Sequence, residues 1–320
     1  MSEIIGRNRK LPHNFFLNGS VIHPHGINRF TIYWKKDNEN ELSPKEYLEK
    51  MHDAGINSLR IVIPGELERG VEPELGKYNS DFLKPVDNVF EIAADLNIYI
   101  IVCLFDYASF WTPWDSKIWN QGIYSTRFPD VKEFFTSKEL RRYEKGRLEF
   151  LVDHFQKYSN VFAWEVMNEM NYLGKFFGDD CENITMDWFD DMAKHIRNVD
   201  NNHLITGSLW GEEFWPSLFN HQLNDVIQIH TYDEVLNPEK IANNLEKYLQ
   251  KAKPFNKPII IGEFSSKKNN PRRAEFVEAA LRSAQRENAS AWLYASIWDE
   301  FGDMNDELFE VFKRTQPLIN

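Results

Sequence analysis

Residues 162–169 read FAWEVMNE, an apolar run that ends at Asn168 and Glu169. A second run, residues 257–264, reads KPIIIGEF and has a carboxyl residue, Glu263, close to its end. Both runs have the length and composition of buried parallel strands. A carboxyl group at the C-terminal end of such a strand is partly enclosed, so it can acquire the raised pKa that proton transfer at neutral pH requires. The two stretches predict a parallel sheet with a reactive carboxyl group on each of two strands.

Short apolar runs alternate with amphipathic helical stretches from about residue 26 to the end of the chain. This alternation is typical of parallel βαβ units. The predicted strands lie near residues 27–33, 57–63, 97–105, 161–168, 203–208, 226–231, 258–263 and 291–298. Eight such strands predict an α/β protein of the (β/α)8 TIM barrel type, and the 320 residues of the chain exceed the roughly 250 that this fold needs.

The residues before the first barrel strand predict a short hairpin, at residues 15–22, with Asn18-Gly19 at its turn. We expect residues 1–25 to form an N-terminal extension whose hairpin caps the bottom of the barrel. Residues 26–320 are expected to form the barrel that carries the candidate site. No linker rich in Pro, Gly or Ser divides the chain, so a single domain is predicted.

Three serines stand where helices are predicted to begin. Ser43 is followed by Pro44, Ser80 precedes the helical pattern of residues 81–96, and Ser137 opens that of residues 137–158. A serine side chain at this position accepts a hydrogen bond from a free N–H of the first helical turn. Each of the three is therefore predicted to be an N-cap.

The formal net charge is −12, from 37 Lys and Arg against 49 Asp and Glu. Such a charge repels phosphate backbones and anionic membranes, so neither nucleic acid nor a membrane is an expected partner.

The two cysteines do not suggest a disulfide framework. Because no apolar signal region opens the sequence, a cytoplasmic location is expected, or a secreted one if the native signal is missing here.

Glu169 and Glu263 follow the fourth and seventh predicted strands, so they are expected to face each other across the mouth of the barrel. Strand alternation is expected to place Ile261 on the same face as Glu263, and Gly262 to allow close approach of neighbouring backbone. Two carboxyl groups about 5–5.5 Å apart are typical of retaining glycoside hydrolysis. In that reaction one carboxylate attacks the anomeric carbon while the other first gives and then takes a proton.

At this point the chain resembles clan A of the glycoside hydrolases and, within it, family 5, the cellulase and β-mannanase group. The resemblance runs from residue 26 to Trp298 and implies that Glu169 is the general acid/base and Glu263 the nucleophile. It also implies that Asn168 contacts the sugar 2-hydroxyl and that Trp298 is a sugar platform. A core position for Trp298 is the alternative.

Three further residues match the same family pattern. Arg60, in the stretch GINSLR at residues 55–60, is implied to support the nucleophile; its alternative role is to pair only with the buried acid Glu165. His230 and Tyr232, in QIHTY at residues 228–232, are implied to lie near the nucleophile. A structural histidine is the alternative for His230.

The pattern departs from many cellulases at the third strand, where they carry histidine and this chain has Asp106. We expect Asp106 to replace the missing hydrogen bond to the sugar. Trp111 and Trp114, in the long segment after that strand, and Trp210 are predicted to contact substrate. The segment around Trp111 and Trp114 looks more like the mannanase side of the group. The predicted substrate is therefore β-1,4-mannan or manno-oligosaccharide, with β-1,4-glucan or cello-oligosaccharide as the alternative.

Two readings from other classes compete with a glycosidase. His23-Pro24-His25 has the His-x-His spacing of metal-dependent amidohydrolases, but it precedes the first strand and lacks a matching later set of ligands. A barrel that binds sugar without turnover is the other, although both carboxyl groups needed for turnover are present. The reading adopted requires no metal, no cofactor and no protein partner.

Overall fold

The computed structural model describes residues 4–30, 32–33, 42–63, 71–107, 130–211, 213–232, 237–295 and 300–316. Three short strands come first and form an antiparallel sheet: β1 (Gly6–Asn8), β2 (Leu11–Leu17) and β3 (Ser20–Ile22). Nine strands follow in one parallel sheet: β4 (His25–Asn28), β5 (Ser58–Val62), β6 (Tyr99–Cys103), β7 (Val161–Glu165), β8 (Leu204–Thr206), β9 (Ser208–Trp210), β10 (Ile227–Tyr232), β11 (Ile259–Ser265) and β12 (Ser290–Tyr294).

The parallel sheet is an eight-stranded barrel, as predicted. Its strand order is β8-β7-β6-β5-β4-β12-β11-β10-β9, so β8 and β9 stand at the two ends of the sheet. These two strands are consecutive in sequence and only Gly207 separates them. They are the two halves of the fifth barrel strand, the first paired with β7 and the second with β10, and the circle closes through Gly207.

The observed strands differ from the predicted ones mainly at their ends. The first barrel strand was expected at residues 27–33, but β4 ends at Asn28 because the chain turns there, with Ile32 N donating to Arg29 O at 3.2 Å. The last was expected at residues 291–298, whereas β12 covers Ser290–Tyr294 and residues 296–299 lie outside the described part.

Helices connect the strands and surround the barrel. The α-helices are Pro44–Asp53, Leu83–Asp95, Val131–Thr136, Lys138–Phe155, Gly174–Phe177, Cys181–Val199, Pro216–Asn220, Pro238–Ala252, Arg273–Arg286 and Asp306–Arg314. The 3₁₀ turns are Ser80–Phe82, Met170–Leu173, Gly178–Asp180 and Lys253–Phe255. In the described residues, no helix is both long enough and apolar enough to cross a membrane.

Two of the three predicted caps are confirmed. Ser43 forms a capping box with Glu46, and the Ser137 side chain accepts from the backbone N–H of Leu140. The prediction for Ser80 was wrong, because the side chain of Asn79 accepts from Asp81 N and opens a 3₁₀ turn before the helix. An asparagine in an extended conformation is as good an N-cap as serine.

The barrel has two separate apolar layers. One packs outward-facing strand residues, such as Leu59, Ile61 and Trp164, against the surrounding helices. The other fills the lower barrel interior with Tyr99, Ile101, Phe162, Ala163, Leu204, Val226, Ile260 and Trp292. Above this inner layer the interior becomes polar, so the site rests on a packed apolar floor.

The N-terminal hairpin covers the lower end of the barrel. β2 and β3 pair antiparallel around Asn18 (φ 52°) and Gly19 (φ 83°), the left-handed pair that a tight hairpin turn requires. Phe15 is 3% exposed, belongs to the inner apolar layer, and lies 5.1 Å from Phe162 between ring centroids. The hairpin thus closes the apolar end of the barrel, while the division of the chain at residue 25 stays a prediction.

Candidate active site

The upper barrel interior is organised by one fully buried arginine. Arg60 comes from β5, whose alternation directs Leu59 and Ile61 to the helices and Arg60 inward. Each of its five N–H hydrogens meets an oxygen acceptor on another strand or just beyond the end of one. Nε and Nη2 donate to the two oxygens of the Glu165 carboxylate, at 2.6 and 2.9 Å. Nη1 donates to Asn28 Oδ1 at 3.0 Å and to Glu263 Oε1 at 2.6 Å. The second hydrogen of Nη2 is donated to Asn168 Oδ1 at 2.9 Å.

This arrangement answers the question that the sequence left open for Arg60. The guanidinium pairs with Glu165 and with Glu263 at once, and all three side chains are at most 5% exposed. A buried charge is tolerated only when it is paired and hydrogen-bonded, and here the fork geometry of arginine meets both conditions. Glu165 therefore holds the orientation of Arg60, and Arg60 holds Glu263.

Glu263 lies on β11 and is held at both carboxylate oxygens. Oε1 accepts from Arg60, and Oε2 accepts from the Tyr232 hydroxyl in a short hydrogen bond. Burial raises the pKa of Glu263 to about 7, against the opposing effects of Arg60 and Tyr232. The predicted contacts of Arg60 and Tyr232 with this carboxylate are thus present in the structure.

The path of β11 explains how Glu263 enters the barrel. The expectation that Ile261 shares its face was wrong: Ile261 packs with the helices, and Ile260 belongs to the inner layer. The pairing of β10 with β11 shifts between Ile261 and Glu263, so a bulge at Gly262 turns the carboxylate inward. A Cβ at Gly262 would lie 2.7 Å from side-chain atoms of both Gln228 and His230. The close contacts that require glycine at this position are therefore with side chains, and not with neighbouring backbone as expected.

Glu169 stands four residues beyond β7, in a left-handed conformation with φ 47° and ψ 56°. A non-glycine residue there stores strain, and the surroundings must hold it. Its backbone N–H donates to Ser208 Oγ at 2.8 Å, and Ser208 Oγ donates to Glu165 Oε1 at 2.7 Å. Burial, reinforced by the charge of Glu263, raises the pKa of Glu169 well above its ordinary value. Such a group is protonated under conditions where an exposed glutamate is ionised.

His230 lies between the two carboxyl groups, and closer to Glu169 than expected. Its Nδ1 is 2.8 Å from Glu169 Oε1 and 3.6 Å from Glu263 Oε1, so its hydrogen bond is with the former. Gln228 Nε2 lies 3.3 Å from His230 Nε2, and with the amide in this orientation it donates to that ring nitrogen and the ring hydrogen lies on Nδ1. Burial lowers the pKa of His230 well below its ordinary value. The neutral ring therefore donates to Glu169.

One oxygen each from Glu169 and Glu263 and a ring nitrogen of His230 lie within 4.8 Å of one another. This spacing agrees with the ~5–5.5 Å between carboxyl groups in retaining glycosidases and is shorter than the ~6.5–9.5 Å of inverting ones. The same three donors have the reach to bind a metal ion. However, Glu263 Oε1 already receives the Arg60 guanidinium at 2.6 Å, and a second cation beside it would be repelled.

Asn168 is fixed from both sides. Its Oδ1 accepts from Arg60, and its Nδ2 donates to Asp106 Oδ1 at 3.0 Å. Asp106 thus touches Asn168; direct contact with a sugar stays a prediction. The backbones of Asp106 and Asn168 form a parallel bridge beyond the ends of β6 and β7, and Asn168 N donates to Phe105 O at 2.9 Å.

Aromatic side chains lead away from Glu169. Tyr107, hydrogen-bonded to Glu169, stacks on Tyr172 with 4.5 Å between ring centroids, and Tyr172 lies 5.0 Å from Trp210. Trp210 is 41% exposed, and the Asn171 side chain binds both its backbone N–H and its carbonyl at 2.7 Å. The predicted role of Trp210 as a substrate contact fits this exposed ring on a hydrogen-bonded backbone. The other predicted tryptophans, Trp111, Trp114 and Trp298, lie outside the described residues.

Sequence reasoning assigned no role in the site to Asn28, Ser208 or Gln228. Asn28 accepts from Arg60 and donates to the Gly262 carbonyl at 2.8 Å, which links β4 to the bulge in β11. All three are fully buried polar residues within the barrel strands, and a polar residue in an otherwise apolar strand was the signal available in the sequence.

The alternative metal motif lies at the wrong end of the barrel. His25 begins β4, pairs with Ala291 near the start of β12, and stacks on Phe312 with 6.3 Å between centroids. Its Nδ1 faces the His23 carbonyl at 3.2 Å. The carboxyl groups described above occupy the opposite, C-terminal end of the strands, so this histidine pair does not contribute to their site.

Comparison with known proteins gives a consistent picture. The family model described as cellulase (glycosyl hydrolase family 5) matches residues 17–301. Mannan endo-1,4-beta-mannosidase 7 of Arabidopsis thaliana is 22% identical, over 89% of this chain and 72% of the relative. Mannan endo-1,4-beta-mannosidase 3 of the same plant is 23% identical, over 96% and 85%. The solved endo-1,4-beta-mannanase of Rhizomucor miehei shares the fold with a TM-score of 0.77, 17% identity and 98% coverage of both chains.

Proposed function

The chain belongs to glycosyl hydrolase family 5, and from this premise we propose that it hydrolyses β-1,4-linked mannan or manno-oligosaccharides with retention of configuration. The observation that carries the proposal is the pair Glu169 and Glu263, opposed at the mouth of the barrel within 4.8 Å. Their surroundings differ in the way that the two steps of a double displacement require. Arg60 and Tyr232 favour a charge on Glu263, whereas in the described part of the chain the Glu169 carboxyl group is hydrogen-bonded to the neutral His230 and to Tyr107.

In the first step Glu263 acts as the nucleophile. Its carboxylate attacks the anomeric carbon and forms a glycosyl ester, while Glu169 donates its proton to the leaving glycosidic oxygen. Arg60 and Tyr232 favour the ionised form of the attacking group against the effect of burial, which raises its pKa to about 7. Arg60 faces Oε1 and Tyr232 faces Oε2. These two hydrogen bonds orient the carboxylate before substrate arrives, which lowers the cost of reaching the attacking geometry.

In the second step the roles of Glu169 reverse. As a carboxylate it takes a proton from water, and the resulting hydroxide equivalent attacks the anomeric carbon and releases Glu263. When Glu263 is esterified its negative charge is lost, and with it the main charge that raises the pKa of Glu169. The pKa of Glu169 therefore falls when a base is needed. His230, which donates to Glu169 from its neutral ring, supports this carboxylate form.

Mannan is favoured over other β-1,4-glycans by the relatives, since the proteins reported above carry the names of mannan endo-1,4-beta-mannosidases or mannanases. β-1,4-Glucan is the alternative, because the family as a whole is described as cellulase. An inactive, sugar-binding barrel is disfavoured by the complete set of hydrogen bonds around both carboxyl groups.

The test is release of reducing sugar from manno-, cello- and xylo-oligosaccharides and from the corresponding polymers. We expect release from the mannose series, with no activity in the variant Glu263→Ala. The sizes of the products distinguish endo from exo action. Release only from the glucose series would contradict mannan as the substrate and identify β-1,4-glucan instead. Absence of release from all substrates would contradict the proposed hydrolase activity.

A further inference from the structure

We propose that Asp106 is a positioning residue that fixes Asn168 as a hydrogen-bond donor toward the 2-hydroxyl of the sugar attacked by Glu263. The inference rests on the proposed function and adds a residue to it. It concerns the position where this chain departs from the histidine of many cellulases. The structure assigns Asp106 a contact with Asn168, and that contact carries the inference.

The polarity of the Asn168 amide is set by its two neighbours. Arg60 has only donors, so the amide oxygen must face it, and the distance from Nη2 to Oδ1 is 2.9 Å. Asp106 offers a carboxylate oxygen at 3.0 Å, so the amide nitrogen must face it. A flipped amide would set nitrogen against guanidinium and oxygen against carboxylate, and both contacts would be repulsive. Asp106 and Arg60 together therefore allow one orientation.

The hydrogens on the amide nitrogen of Asn168 determine which hydrogen bond this residue can make with a substrate hydroxyl. An amide nitrogen carries two hydrogens, and Asp106 accepts one of them. The other is available to donate, whereas the amide oxygen is engaged by Arg60 and has Ser208 Oγ at 3.5 Å. A hydroxyl group that meets Asn168 must therefore accept a hydrogen bond, and it keeps its own hydrogen for another acceptor.

Rigid backbone supports this role. Asp106 and Asn168 are paired in a parallel bridge, and the backbone N–H of Asn168 donates to Phe105 O at 2.9 Å. Asn168 is 4% exposed, so exchange of its partners with water is restricted. A charge-assisted hydrogen bond at each end of a buried amide is stronger than a neutral one and holds the remaining N–H in a fixed direction.

The experiment compares two substrates in two enzymes. The substrates are 4-nitrophenyl β-mannobioside and its analogue that lacks the 2-hydroxyl on the mannose next to nitrophenol. In Asp106→Ala, kcat/KM for the first substrate should fall about tenfold, the effect of one hydrogen bond to a charged group. For the deoxy analogue, wild type and variant should agree within about twofold, because the hydrogen bond that Asp106 directs has no acceptor.

Three controls make the outcome decisive. Asn168→Ala should show the same dependence on the 2-hydroxyl, and the double variant should lose no more than Asn168→Ala alone. Asp53→Asn removes a charge from an exposed position and should leave both rates unchanged. Equal losses on the two substrates in Asp106→Ala would overturn the proposal and leave Asp106 a general structural role. Failure of wild type to cleave either substrate would instead contradict the proposed function itself.

Discussion

Arg60 Nη1 and Glu263 Oε1 lie 2.6 Å apart, and neither side chain is exposed by more than 5%. The same guanidinium binds Glu165 through two nitrogens, so one cation is shared by two buried carboxylates. Attraction of this kind compensates for the loss of solvation only when the geometry is good, and removing one partner leaves an uncompensated charge. The charge balance of the site, and with it the ionised state of the proposed nucleophile, depends on this arginine.

Arg60→Lys should therefore be far from conservative. Lysine keeps the charge but loses the planar fork, so the contacts with Glu165, Glu263 and Asn168 cannot all be made. We expect kcat/KM to fall by about 10²–10³-fold, the usual cost of a misplaced charged donor, and the unfolding free energy to fall by about 3 kcal/mol. Steady-state kinetics and denaturant unfolding measure the two effects. Arg142→Lys, at an exposed arginine, should change neither, and near-normal activity in Arg60→Lys would contradict the role given to the fork.

Tyr232→Phe should move the acid side of the pH profile. The tyrosine hydroxyl donates to Glu263 and lowers its pKa, although burial keeps that pKa at about 7. Without this hydrogen bond the pKa of Glu263 rises, so the ionised nucleophile is present only at higher pH. In a plot of kcat/KM against pH, the acid limb should shift to higher pH, whereas Tyr158→Phe, far from the site, should leave it in place. An unmoved limb in Tyr232→Phe would mean that Glu263 does not govern it.

Glu169→Ala should affect substrates according to their leaving groups. An activated aryl glycoside leaves with little protonation, so the first step should proceed at close to the normal rate and the glycosyl ester should then accumulate. Unactivated manno-oligosaccharides need the proton, and their kcat/KM should fall by about 10²–10⁴-fold. Pre-steady-state bursts and steady-state rates on both classes provide the measurement. Equal losses on both classes would be evidence against Glu169 as the acid.

Glu169→Gln should stabilise the fold as pH rises. The pKa of Glu169 is raised in the folded protein above the ordinary value of 4.5, so the folded state holds a proton that the unfolded state releases. Wild type therefore loses stability as pH rises from about 4.5 through the folded pKa, and the glutamine variant does not. The difference in Tm, variant minus wild type, should grow between pH 5 and pH 8. A difference that stays constant over this range would refute the linkage.

Much of this architecture was predictable because strands and reactive carboxyl groups leave strong local patterns. Eight apolar runs and the two glutamates near the ends of strands could be identified from the local pattern, whereas Arg60 and Tyr232 were identified through the resemblance to family 5. The bulge at Gly262 could not, since register shifts depend on the neighbouring strand, and it reversed the expected relation of Ile261 to Glu263.

The sequence also could not show which of the two carboxyl groups forms a hydrogen bond with His230. Glu263 lies on another strand and Glu169 lies beyond the end of a third, so only the three-dimensional arrangement shows that Nδ1 is 2.8 Å from Glu169 and 3.6 Å from Glu263. The contact between Asp106 and Asn168 was missed for a similar reason. Each residue was considered only for its own contact with sugar. The two residues pair in an isolated bridge beyond the ends of β6 and β7, and the sequence alone does not indicate such a bridge.

The most direct test of the account is covalent trapping of the nucleophile. A 2-deoxy-2-fluoro-β-mannosyl fluoride, with an activated leaving group and a slowed second step, should form a stable ester with the enzyme. Mass spectrometry of the digested protein should then find one added fluorosugar on the peptide that contains Glu263, and none in Glu263→Ala. A label on Glu169 or on another residue, or product of inverted configuration without any label, would contradict the double displacement at Glu263.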